Sequence, residues 1–141
     1  MATFTKFDCF TENLAEGVHA LSANTLKFAL TNTVPTANNS ILSNITQITA
    51  ENGYTAGGKA AALTSSVQTS GVYKLIVGDV VFTANGGNVG ALRYVVLYDD
   101  TPTSPVDPLI AYFDYGSSIT LLTGETLTVD CDASAGILTI T

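Results

Sequence analysis

The side chains able to shuttle a proton or attack a carbon are few in this chain, and their spacing works against each use. His19 is the only imidazole in 141 residues, so a Ser–His–Asp or Cys–His relay has a single available proton carrier. No G-x-S-x-G elbow presents a serine to it. His19 falls one step from the apolar stripe of a predicted helix, where a surface or packed role requires no chemistry. Carboxylate pairs of the kind that cleave glycosides occur as Asp99/Asp100, Asp130/Asp132 and Glu12/Glu16. Neighbours on a strand point to opposite faces, which separates Asp99 from Asp100. Asp130 and Asp132 share a face beside a turn, and Glu12 and Glu16 lie one turn apart on the solvent side of the helix. Each pair reads as a solvated face or a turn cap. Tryptophan is absent, which weakens a sugar-cleft reading, since carbohydrate platforms lean on aromatic faces. The sequence predicts a non-enzyme.

Ligand-holding patterns are equally thin. Asp99, Asp100 and Asp107 share one loop with free carbonyls, a start towards calcium. Calcium takes six to eight oxygens, and the D-x-[DN]-x-[DN]-G spacing is missing. Cys9 and Cys131 stand near opposite ends with no Cys or His at ligand spacing, so two packed, reduced thiols are expected and no metal site. Asn52-Gly53 and Gly57-Gly58 bracket Tyr54, but no strand–loop–helix context or GK[ST] ending follows, so they serve as turns rather than a phosphate cradle. Tyr94, Tyr98, Tyr112 and Tyr115 occupy two neighbouring strands, either as an aromatic binding face or as the edge of a core. No cofactor is expected.

Composition narrows the partners. Charged residues make up 12% of the chain, about half the ~25% usual for soluble domains. Net charge is −7. Lys6, Lys27, Lys59, Lys74 and Arg93 are scattered singly, so no basic stripe exists to neutralise consecutive phosphates, and nucleic-acid binding is disfavoured. An anionic membrane would repel the chain as well. No apolar run approaches the ~20 residues of a membrane span. The first ten residues lack the basic start and apolar run of a secretory signal, and without one the N-x-[ST] patterns at Asn38 and Asn44 have no use. So sparse a set of surface charges suits a protein packed against copies of itself or a larger assembly.

The elements that must position these residues are mostly strands. Phe7, Phe10, Leu14, Val18 and Leu21 recur at helical spacing, with Thr5 as N-cap, Asp8 in the first turn and an end near Asn24. Gly17 within that stripe costs about 1 kcal/mol relative to alanine. From Thr25 the pattern alternates, Leu26, Phe28 and Leu30 opposing Lys27. A polar loop with Val34-Pro35 follows. The stretch 41–48 is ambiguous between extended chain and a helical turn. Strands are predicted at 60–67, 72–77, 79–83, 91–98, 109–115, 119–122, 126–131 and 137–141, separated by Gly-, Asn- and Asp-containing turns. The run 91–98 is apolar on both faces apart from Arg93 and should be central and doubly covered. The last two strands read as a terminal hairpin, and the proline-rich loop 99–108 as the longest projection of the second half. Short strands at this spacing predict a mainly β fold: one antiparallel β-sandwich, jelly-roll-like, over residues 1–141, with an N-terminal arm and helix over about 1–23.

Three stretches carry a more specific likeness. Glu16-Gly17-Val18-His19, then the run from Thr25 to Thr33, then the run from Asn52 to Gly58 resemble a family of small tailed-bacteriophage structural proteins. Arg93 to Tyr98, Asp114 to Ser118 and Gly136 to Thr139 agree with it in order, so the likeness covers essentially the whole chain. It is most similar to capsid cement, or head-decoration, proteins, whose relatives also include tail and fibre components. The resemblance implies no catalytic residue, no cofactor and no residue-level binding motif. It implies a virion protein made in the host bacterial cytoplasm that sits on the outer face of a major capsid protein lattice. The expected form is a homotrimer with residues 2–7 as a docking arm. The alternative is a tail or fibre adhesin that binds glycans through the Tyr94–Tyr115 region or the loop 99–108.

Overall fold

Alternation along β2 (Leu26–Thr31) organises the molecule, because this strand is buried on both faces. The computed structural model describes residues 3–141. In it β2 lies within a five-stranded antiparallel sheet ordered β1 (Phe4–Lys6), β8 (Leu109–Leu121), β7 (Val89–Asp99), β2 and β3 (Lys59–Ala61). A three-stranded sheet of β10 (Leu138–Ile140), β5 (Val72–Val77) and β4 (Leu63–Thr69) and a two-stranded pair, β6 (Val80–Thr83) with β9 (Thr126–Val129), pack on one face of it. The core between the layers joins Phe28, Leu30 and Leu97 of the large sheet to Leu75, Phe82 and Leu138 of the smaller ones. Each such side chain, fully buried, contributes about 1.5–3 kcal/mol. The fold is mainly β and antiparallel, with one short helix, in a sandwich-like arrangement.

The opposite face of the large sheet has its own cover. Ala29, Val96, Tyr98 and Leu109 pack there against Phe7, Leu42 and Ile45. Leu42–Asn44 is the single 3-10 turn of the stretch that the sequence left ambiguous. Backbone bonds from Ile48 to Leu30, Leu42 to Asp107 and Asp8 to Ala37 tie this segment down. Doubly covered β7 is therefore central, as its apolar run predicts.

Several expectations are corrected. The helix α1 spans Cys9–Ala15, with Asp8 rather than Thr5 as N-cap, and does not reach Leu21. Gly17 takes φ +79°, and the amides of Val18 and Gly17 bond back to the carbonyls of Asn13 and Leu14. That is a Schellman stop, so the glycine ends the helix rather than weakening its interior. Residues 4–6 of the expected arm form β1, paired to Ala111–Phe113, and Phe7 is wholly buried; Ala2 lies outside the described residues. The strands predicted at 109–115 and 119–122 are one, β8, with the Gly116 turn absorbed as a bulge opposite Leu92–Tyr94. The strand predicted at 60–67 divides at Ala62, whose carbonyl accepts from the Gly78 amide. No terminal hairpin forms: β9 pairs with β6 and β10 with β5. The intervening chain is turned by Asp132, which accepts from the Ser134 and Ala135 amides, and is steered at its start by the Cys131 amide donating to Asp79. Loop 99–108 is folded back rather than projecting freely: the Asp99 amide bonds the Pro108 carbonyl, and Ile41 bridges Pro108.

Candidate functional site

His19 follows the helix stop and turns inward rather than lying on a helix flank. Its Nδ1–H donates to Asp99 Oδ2 at 2.9 Å, and both side chains are closed to solvent. Asn24 Nδ2 donates to the same oxygen at 2.7 Å, and the Thr101 amide donates to Oδ1. The Phe10 ring lies against the imidazole, 5.4 Å between centroids. His19 Nε2 is buried without a hydrogen-bond partner among the described residues. A proton relay needs a nucleophile on that nitrogen and a path for substrate, and this pair has neither. It fastens the chain after α1 to the end of β7, across 80 residues of sequence.

The other carboxylates divide among ion pairs, turn caps and solvent. Asp100 pairs with Lys27 at 3.0 Å. Asp107, at φ +47°, forms no ion pair among the described residues, and burial, then the nearby Asp100 charge, holds its carboxyl above its usual range. Among the described residues no group of three or more His, Cys, Asp or Glu side chains is placed to hold a metal ion. Glu12 and Glu16 are exposed. The hydrogen bonds from Ala135 and Ser134 lower the Asp132 carboxyl, which marks it as a turn cap. Cys9 and Cys131 are free thiols. Burial, helped by Asp79 and Asp130, raises Cys131 to about 11, which suppresses its nucleophilic form.

Three of the four tyrosines come together. Tyr94, Tyr112 and Tyr115 line an open groove of about 730 Å³ with Asp114, Thr5 and Val34. Tyr94 and Tyr112 meet edge to face at 6.2 Å. Arg93 forks onto Asp114 at 2.8 and 3.0 Å and lies over the Tyr94 ring. That fork, then the Gly116 amide, depresses the Asp114 carboxyl. Tyr98 is not part of the groove. It is buried, donates its hydroxyl to the Gly57 carbonyl at 2.7 Å, and is held above the usual phenol range by burial.

Sequence reasoning missed an apolar seam on the side where the layers part. Phe4 of β1 and Phe113 of β8 face Leu127, Val129 and Ile137 across a recess of about 440 Å³, rimmed by Asp130 and Asp132. A second recess of about 540 Å³ lies between α1, β1 and β10, where Phe10 and Leu14 face Leu138. The two share Phe4, Gly136 and Ile137. The alternating apolar positions of β9 and β10 were visible, but their pairing to different strands, which opens the seam, was not. No helix among the described residues is long and apolar enough to cross a membrane. No protein-family model, no curated protein and no solved structure matches the chain.

Proposed function

We propose that this chain is a structural virion subunit of the capsid-cement kind, a homotrimer seated on the outer face of a tailed-phage head lattice. The likeness of its sequence supplies the class. The observation that carries the reading is the outer surface of the three-stranded sheet. Val67 and Val72 are 56% and 37% exposed there, beside the single Lys74 of β5, and β4 is a seven-residue edge strand without a charge or a proline, its one irregularity confined to the Leu63–Ser65 end. Monomeric proteins blunt such edges with lysine, proline or bulges. Left open over a charge-poor surface, this one suits burial by a neighbouring subunit at low desolvation cost. Repetition around a shell multiplies shallow contacts through avidity. The ionisable groups fit the same role, because His19, Asp99 and Cys131 are spent on holding the fold together. The test is a copy count in purified particles together with binding of the pure protein to empty heads. Hundreds of copies and saturable binding support the reading; a handful of copies and no binding refute it.

One observation favours a second reading, a glycan-binding tail or fibre module. The groove of Tyr94, Tyr112 and Tyr115 beside Asp114 offers ring faces and a carboxylate in one open site. Binding on a glycan array that disappears with Tyr115→Ala, in a protein present at a few copies per particle, would select it.

A further inference from the structure

We propose that the seam between β1 and β10 is a docking groove for an extended segment of a partner protein, apolar along its length and basic at one end. β1 is the free edge of the five-stranded sheet and β10 the free edge of the three-stranded one. Both border the second of the two adjoining apolar recesses, and Phe4, Gly136 and Ile137 form the wall common to both. A groove flanked by strand edges offers unpaired backbone groups as well as apolar walls. A small apolar ligand would fill the walls and leave those groups unsatisfied. An extended chain satisfies both at once, its alternate side chains entering the recesses while its backbone pairs with an edge.

Charge chooses among possible strands. Asp130 and Asp132 rim one end of the seam; Asp130 is exposed and forms no ion pair among the described residues. Asp132 has Lys74 close by, whose ammonium bonds the Ser134 carbonyl, so Asp130 supplies the unpaired charge of that end. The other end carries Lys6, whose ammonium bonds Thr11. The groove thus has apolar walls and opposite charges at its two ends, which fixes direction: the basic end of the guest lies over Asp130. A second copy of this chain fits poorly, since its net charge is −7, its lysines are isolated, its longest edge strand β4 carries none, and its lysine-bearing edges β1 and β3 are only three residues long. The occupant is therefore a different protein. Only its identification as a capsid subunit rests on the function proposed above; the groove stands on its own walls.

The experiment titrates the full chain with two synthetic peptides, acetyl-TVTVTVKK-amide and acetyl-TVTVTVEE-amide, followed by amide chemical shifts and hydrogen exchange. The lysine peptide is expected to bind about fivefold more tightly, the scale of rim charges, with exchange slowed at Thr139 of β10 or at Phe4 or Lys6 of β1, whose amides point away from their own sheets. Asp130→Asn, an exposed change that leaves the core intact, is expected to reduce that preference to about twofold, and Ile137→Thr to weaken both peptides. Val67→Ser on the distant β4 is expected to change neither. Equal binding of both peptides, no binding, or filling of the recess by a fatty acid with no protection of either edge would overturn the proposal. Ile137→Thr protein that loses the peptide yet coats empty heads as wild type does would overturn the groove as the capsid seat and leave the cement reading intact. Wild-type protein that binds the lysine peptide but ignores heads would do the reverse.

Discussion

Asp99 receives three donors in a site closed to solvent, and the consequence is mechanical. Replacing it with alanine strands His19 and Asn24 without their acceptor, so Asp99→Ala should lower unfolding free energy by about 3–5 kcal/mol, read as a shifted urea midpoint with an unchanged slope. Cys131 gives a pH prediction. Its thiol ionises near its ordinary 9.0 when unfolded but only at about 11 when folded. Between those values the unfolded state holds fewer protons, so stability falls as pH rises from 9 to 11; below 9 both states are protonated and this contribution is complete. Cys131→Ala should flatten that alkaline decline. Burial also predicts slow labelling of Cys131 by a thiol reagent at pH 8 in the native protein and fast labelling in urea. Had either thiol served as a nucleophile, the geometry would have lowered its pKa, whereas burial raises both.

At the scale of elements, glycines decide where the chain stops and where it tucks in. Gly58 holds φ +74°, and a Cβ there would collide with the Phe28 carbonyl. Gly58→Ala should therefore cost more than about 2 kcal/mol, from left-handed strain plus overpacking. Gly86, at a similar φ but facing open space, should cost only about 1 kcal/mol. Thermal melts of the two variants separate the contributions. These positions also mark what a sequence can reveal. β2, β5 and β7 were legible because their apolar residues follow the period of a half- or fully buried strand. Gly17 was seen but misassigned, since a left-handed stop and a tolerated interior glycine look alike until the Val18 amide is found on Asn13. The Gly116 turn and the supposed terminal hairpin failed for another reason. Whether a glycine breaks a strand or bulges within it, and which strand pairs with which, depends on partners distant in sequence. His19 was judged by its local stripe, while its burial is set by Asp99. The seam was invisible because it is made by two strand edges that lack neighbours, and a missing neighbour leaves no mark on a local pattern.

A two-layer β fold with few ions leaves a charge-free β4 edge open and Val67 and Val72 exposed beside it, the surface that the proposed function has a neighbouring subunit cover. Val67→Lys, which adds the charge that monomers use to guard an edge, should leave the melting temperature within a few degrees of wild type. On the proposed trimer, with β4 at the subunit contact, the same change should shift sedimentation velocity towards monomer. The measurement that bears most directly on the proposed function is titration of the pure protein onto empty heads of the phage proposed to encode it, with bound protein counted after sedimentation. The account predicts saturation at a whole-number ratio to the lattice's three-fold sites and a higher melting temperature for the coated shell. Heads that sediment bare, beside a protein that remains monomeric at every concentration, would contradict it.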